Sequence, residues 1–232
     1  NAQRLPNKPL KLINNKEMIL HVHDLAKKAN VGDVIVATPD QKIYDLVKKH
    51  GGLAEMTKEN HKNGTDRIFE VFEKKLEKKP KIIINFQGDM PNLNSSTIQN
   101  LITHMNNSSC DIGTLASDLK RNKEEKDPNI VKVLVTDSLK KNNFSSAIDF
   151  FRVPKDILKN NTYHHVGIYA FTNKALIRYV GLKRSRLEIE RKLEQLRALE
   201  NKMKINVGYI DSCPLSVDTE NDLLKIKKIM EN

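Results

Sequence analysis

Cysteine, glycine and aromatic residues are all scarce in this 232-residue chain, and it has no long apolar run. Two cysteines, Cys110 and Cys213, cannot build a disulfide framework and lack paired metal-ligand spacing, so they are read as reduced and structural. Nine glycines form neither a Walker loop nor a GxGxxG fingerprint. No stretch approaches the roughly 18 apolar residues of a membrane span, and no signal-peptide pattern opens the sequence. A soluble, intracellular, cytoplasmic protein with no membrane insertion is the expectation. No HExxH, Cys–His cluster or serine elbow is present, which leaves hydrolase readings with little support.

Positive charge, by contrast, is abundant. A formal net charge of +11 invites a nucleic-acid reading, because clustered Lys and Arg neutralise phosphates and release counterions. The distribution argues otherwise. Most of the basic residues are Lys, spread over the whole length, and aromatics, 5% of the chain, do not interleave with them as stacking platforms. No nucleic-acid partner is therefore expected, and a phosphate-bearing small ligand suits the charge better.

Strand and helix patterns alternate through the first half. Residues 16–30 carry Met18, Ile19, Val22, Leu25 and Ala26 at helical spacing, and "DVIVAT" (33–38) follows as a strand. "DQKIYDLVKKHGG" reads as a helix closed by Gly51 and Gly52, "LAEM" as a short strand, and a helix starts near Gly64. "KIIINF" is a buried strand, and "NSSTIQNLITHM" a helix capped by Ser95 or Asn94. This alternation implies a mostly parallel sheet. Four strand-like runs, "DIGTLASDL", "NIVKVLVTD", "FSSAIDFF" and "HVGIYAFT", then predict an antiparallel or mixed excursion, with 120–127 as an exposed loop. Helices return at "NKALIRYVG" and "RLEIERKLEQLRALE", followed by a strand "KINVGYID" and a helix from Thr219, where Thr219 and Asp222 match a capping box. The opening "NAQRLPNKPL" is a Pro-punctuated loop, whereas an α/β domain ordinarily opens with a strand, so a strand upstream of Asn1 is expected.

Chemistry concentrates in four places. "IIINFQGDMP" ends a strand on Asp89, where open α/β sheets bind ligands; a metal-holding acid and a helix-capping turn residue both fit. "SVDTEND" sets Asp218 before a helix, either as an entry residue or as a partner of Asp89 around Mg²⁺, which takes one or two carboxylates and completes its shell with phosphates and water. "QRLPNKPL" places Arg4 and Lys8 on a loop stiffened by Pro6 and Pro9, suited to gripping a triphosphate or equally to a solvated basic terminus. "HKNGTDR" joins Gly64 and Thr65 to a helix N-terminus with Arg67 in its first turn, which can present amides and a cation to an anion.

The motifs "RLPNKPL", "NGTDR", "NFQGDMP", "DPNIVKV", "HVGIYAF", "LEQLRALE" and "VDTENDL" stand in the order and at about the spacing of the 3-deoxy-manno-octulosonate cytidylyltransferases, the CMP-Kdo synthetases, and the resemblance covers essentially the whole chain. "LEQLR" after "HxGIY" separates this family from other nucleotidyltransferases. The resemblance implies one α/β domain over 1–232, Rossmann-like and of the nucleotide-diphospho-sugar transferase type. Its sheet would be mixed and mostly parallel, with a smaller β-rich part that helps form a homodimer. The implied reaction is CTP plus Kdo giving CMP-Kdo and pyrophosphate, with Mg²⁺, for lipopolysaccharide biosynthesis.

Residue by residue, the resemblance assigns Arg4 and Lys8 to the triphosphate, and Gly64, Thr65, Arg67 and Gln87 to the nucleotide. Asp89 and Asp218 become metal ligands, with Lys8 joining them in catalysis. Arg152, His165, Tyr169, Glu194 and Gln195 fall on sugar-binding positions. The family usually has Glu at the place of Met90, an FSR-like triplet where Phe150, Phe151 and Arg152 stand, and Glu in place of Arg191. It also opens with a strand ending in a Pro-Ala-Arg-like or Pro-Ser-Arg-like motif, so a truncated record of the chain is expected. Three alternatives stay open: a cytidylyltransferase for 8-amino-Kdo or a sialic-type acid, a nucleotide-binding homologue without turnover, and a basic nucleic-acid-binding protein.

Overall fold

A short ribbon leads into the first long helix. Strands β1 (Leu12–Ile13) and β2 (Lys16–Glu17) pair antiparallel, and the turn between them is Asn14–Asn15, both at positive φ (48° and 64°), which asparagine tolerates better than most residues. Helix α1 (Met18–Ala29) follows and buries Met18, Ile19, Leu20, Val22 and His23; Asn30 in the left-handed region ends it. The structure, a computed structural model, describes residues 5–74, 77–141, 143–154 and 158–231, apart from the side chains of residues 121 and 122. Its contacts divide into two compact units.

The first unit comprises the described chain up to Lys78, Gln87–Gln99 and the chain from Pro214. Strands β3 (Ile35–Thr38) and β4 (Leu53–Met56) are parallel and joined through α2 (Gln41–Lys49), the βαβ arrangement that the alternating pattern predicts. Asp40 caps α2 by accepting the Lys42 amide at 2.8 Å, and Gly51 at φ 79° turns the chain away. Helix α3 (Gly64–Lys74) comes next. Two apolar clusters hold the unit: Ile19, Leu20, Ile43, Val47 and Ala54 form one, and Leu5, Ile13, Met18, Val217, Leu223 and Ile226 the other. Each of these side chains larger than alanine contributes about 1.5–3 kcal/mol by leaving water. The second cluster draws the opening loop, at Leu5, to the segment at Val217 that precedes the last helix, Glu220–Met230. That helix starts with the expected capping box between Thr219 and Asp222.

The second unit comprises Lys79–Phe86 and Asn100–Cys213. Its strands, in chain order, are β5 (Ile82–Asn85), β6 (Ile112–Ser117), β7 (Lys132–Val135), β8 (Phe144–Phe151), β9 (Thr162–Thr172) and β10 (Ile205–Tyr209). They form one sheet in the order β5-β9-β6-β10-β8-β7, with β9 also pairing β7. The sheet is mixed, as expected, but antiparallel pairing prevails. Among the described residues only β3–β4 and β6–β10 are parallel, because the eleven-residue β9 runs back against β5, β6 and β7. Helix α4 (Ser95–Asn107) is capped by Asn94, whose side chain accepts the Ser96 amide at 3.0 Å.

Two local expectations change. The stretch 186–200 is two helices, Arg186–Arg191 and Gln195–Glu200, because Lys192 takes a left-handed conformation (φ 55°) and breaks the ladder. The loop expected over 120–127 contains a short helix, Arg121–Glu124, whose Glu124 accepts from the half-buried His164 at 3.2 Å.

Candidate active site

Lys8 is the centre of the first unit's polar site. It opens a 3₁₀ turn, Lys8–Leu10, with Pro9 in its first positions, a residue whose fixed φ and missing N–H suit that place. Its Nζ donates to Asp89 Oδ2 at 3.0 Å and to Asp218 Oδ1 at 3.0 Å. Three segments far apart in sequence thus deliver one cation and two carboxylates to a single point. Leu5 and Val217 in the core fix the loop and the Asp218 segment from below, and the Val217 amide donates to the Asp89 carbonyl at 3.0 Å. The Leu215 amide donates to Asn92 Oδ1 at 3.0 Å and ties the same two segments again. Behind Asp89, Met90 and Pro91 are buried, and a Cβ on Gly88 would press on Ile19 Cδ1 at 3.2 Å.

Electrostatics of this group are governed by its charges. Burial is the largest single influence on the Lys8 ammonium and works to lower its pKa. The charges and hydrogen bonds of Asp89 and Asp218 outweigh burial, and the net shift is upward. Lys8 is therefore a fixed cation across the physiological range. Asp89 is largely shielded and Asp218 more than half exposed, so the pair is open to solvent on the Asp218 side.

The remaining nucleotide candidates are placed variously. Gln87 is exposed on the turn before Asp89. Gly64 and Thr65 begin α3, with Thr65 buried, and the cap of that helix is Asn63, which accepts the Asp66 amide at 2.8 Å. Arg67 donates to the Thr57 hydroxyl and to the Lys58 carbonyl at 3.0 Å, which braces the chain leaving β4. Arg4 lies outside the described residues.

The sugar candidates all lie in the second unit. His165 on β9 is 7% exposed, and burial, then the charge of His164, pushes its pKa down to about 3. Its tautomer follows from Thr114. That hydroxyl has one hydrogen and gives it to a carbonyl, of Ile168 at 2.7 Å or Val166 at 3.2 Å, so it must accept from His165 Nε2 at 2.9 Å. His165 Nδ1 is consequently a hydrogen-bond acceptor. Tyr169 follows four residues on in β9, with ring centroids 5.6 Å apart. Its hydroxyl is driven well above the usual tyrosine range by burial first, and then by the nearby charge of Glu194. Glu194 also offers its carbonyl to Tyr179 Oη at 3.0 Å. Gln195 is buried and makes no side-chain hydrogen bond among the described residues. The structure thus gathers His165, Tyr169 and Glu194.

Arg152 is held differently, donating to the carbonyls of Pro128 (3.0 Å) and Asn129 (3.3 Å). The fully buried Lys132 locks that loop by donating to the carbonyls of Asp127, Ile130 and Arg152. Lys132 falls within the "DPNIVKV" motif but its role there is not legible in the sequence, and Thr114 is not marked out by its neighbours, because its carbonyl partners lie far along the chain. Asn63 was legible in principle, as an Asn directly before Gly-Thr at a helix start. The unusual residues have structural partners: Met90 is buried, and Arg191 donates to Asp149 at 2.7 and 2.9 Å.

The family described as "Cytidylyltransferase" matches residues 1–205, which makes the chain a nucleotidyltransferase. A 3-deoxy-manno-octulosonate cytidylyltransferase of Bartonella tribocorum is 42% identical over 230 residues, covering 99% of this chain and 94% of the relative. One from Brucella canis is 40% identical over 224 residues, covering 96% and 88%. The solved structure of CMP:2-keto-3-deoxy-manno-octonic acid synthetase complexed with CTP superposes with a TM-score of 0.90 at 33% identity, covering 100% of this chain and 94% of that one. The chain belongs to the 3-deoxy-manno-octulosonate cytidylyltransferase family.

Proposed function

We propose that this protein transfers CMP from CTP to the anomeric hydroxyl of Kdo, forming CMP-Kdo and pyrophosphate. The observation that carries the proposal is the Lys8 ammonium held at 3.0 Å by both Asp89 and Asp218, in a chain of this family. Two carboxylates that already converge on one cation form a hard, all-oxygen donor set of the kind magnesium takes, so the residues fit Mg²⁺. Bound there, Mg²⁺ would offset the negative charge that grows on the phosphate oxygens. Asp89 and Asp218 would hold it. Lys8 would exchange its carboxylate partners for phosphate oxygens, bringing a fixed positive charge to the triphosphate on a loop that proline and the Leu5 anchor keep stiff.

On the sugar side, His165 Nδ1 would accept a hydrogen bond from a Kdo hydroxyl and Gln195 would supply an amide, while Arg152 would meet the sugar carboxylate. The hydroxyl then displaces pyrophosphate from the α-phosphorus in line, and positioning with charge stabilisation does most of the work. The same reading has the protein acting as a cytoplasmic homodimer in lipopolysaccharide synthesis. Exposed Ile148, Val153 and Ile189 of the second unit are in keeping with a dimer surface. Pyrophosphate release measured with each of the four nucleoside triphosphates, with and without Kdo, tests the proposal. Release confined to CTP plus Kdo supports it; release independent of Kdo, or equal with UTP, refutes it.

A further inference from the structure

Three side chains that the transfer chemistry does not use meet where α1 faces the end of α2. His23 and Asp24 are successive residues of α1, and His50 is the C-cap of α2. Asp24 Oδ1 lies 3.2 Å from His23 Nδ1 and 3.0 Å from His50 Nε2, and all three donor atoms are within 4.8 Å of one another. Ligands around a tetrahedral ion with bonds of about 2.0–2.1 Å sit about 3.3 Å apart, so small movements would suffice to admit one. The two imidazoles stand edge to face, with centroids 5.9 Å apart.

We infer that His23, Asp24 and His50 form a binding site for a transition-metal dication of the zinc class, separate from the Asp89–Asp218 pair. Three features support a built site. His23 is buried and its ring packs so closely on Gly52 that a Cβ there would lie 2.8 Å from Nε2, which fixes the imidazole in place. Asp24 and His50 are each about a third or more exposed, which leaves a path for the ion and room for a water as fourth ligand. The other Asp24 oxygen, Oδ2, accepts from Lys16, so the carboxylate has the outer partner that orients a metal ligand.

Donor chemistry sets the selectivity. Two imidazole nitrogens and one carboxylate favour Zn²⁺ and its neighbours, whereas Mg²⁺ prefers oxygen alone. The bound ion would replace the two imidazole bonds to Asp24 and tie the end of α2 to α1, raising the stability of the first unit.

The test uses the full chain without a polyhistidine tag, stripped with chelator and dialysed against Zn²⁺ in excess Mg²⁺. One equivalent of zinc bound per chain with micromolar or tighter affinity is expected, together with a higher thermal midpoint. Co²⁺ in its place should give the visible absorption of a four- or five-coordinate ion. His50→Ala, at an exposed helix end, should fold and turn over normally yet weaken zinc binding roughly tenfold or more, as should Asp24→Asn. Asp89→Asn should leave zinc binding unchanged. No stoichiometric zinc on the wild-type chain, or binding that survives both His50→Ala and Asp24→Asn, would overturn the inference.

Discussion

Acid should destabilise this protein through His165 in a way that can be isolated. In the folded chain the imidazole has a pKa near 3, because burial excludes the charged form and His164 adds a like charge. In the unfolded chain it returns to about 6.5. A depressed folded pKa means that the stabilising effect is complete above the unfolded value and is lost as pH falls toward the folded one. Between those limits the unfolded state takes up a proton that the native state refuses, at about 1.4 kcal/mol per pH unit. About 1.5 units below the unfolded pKa, near pH 5, the loss reaches about 2 kcal/mol, a sizeable part of a typical stability of about 5–15 kcal/mol. His165→Gln keeps an N–H for the Thr114 hydroxyl and removes the titration. Urea unfolding of both proteins at about pH 7.5 and about pH 5 should show the wild type losing about 2 kcal/mol more than the variant. Parallel losses, or a His165 ring that titrates near the ordinary histidine value in the folded protein, would refute the reasoning.

Further outcomes follow from the same geometry. Asp89→Asn preserves shape and removes charge, so turnover should fall by about a hundredfold or more at saturating Mg²⁺, read by pyrophosphate release; near-normal turnover would return Asp89 to a turn residue. Asp218→Asn should raise the Mg²⁺ concentration needed for half-maximal rate, and an unchanged requirement would leave Asp218 as a helix-entry residue. Gln195→Ala should raise the Michaelis constant for Kdo more than that for CTP, and equal effects would count against its placement. Lys132→Met strips the donor from three partly buried carbonyls, and losing several charge-assisted bonds of about 1.5–3 kcal/mol each should lower urea stability by about 3 kcal/mol or more. A change under about 1 kcal/mol would show that the loop 127–130 is held by other means.

Local pattern carried much of the architecture into view. Helical spacing of Met18, Ile19 and Val22 located α1, Thr219 and Asp222 announced the last helix, and Ile-rich residues located β5, because burial and capping leave periodic traces. Strand direction was less legible. Whether β9 runs with or against its neighbours depends on which strands it meets, and no period in "HVGIYAFT" records that. The break at Lys192 was hidden because a left-handed lysine in a run of good helix formers is imposed by tertiary packing, with Leu193 buried just beyond it. For the site, Asp89, Asp218 and Lys8 stood out as charged residues at element ends, and their convergence on one point required the Leu5–Val217 core contact. The acceptor state of His165 Nδ1 was beyond any sequence pattern, since it rests on the Thr114 hydroxyl giving its one hydrogen to a carbonyl and not to the ring.

The central claim is that nucleotidyl transfer occurs at the α-phosphorus of CTP with a sugar acid as acceptor. Following CTP labelled at the α-phosphate through a single incubation with Kdo and Mg²⁺ tests it most directly. The label should move into a CMP–Kdo adduct while the β- and γ-phosphates leave together as pyrophosphate. Label that ends in free CMP with no adduct, or that stays in CTP while Kdo is present at saturation, would contradict it.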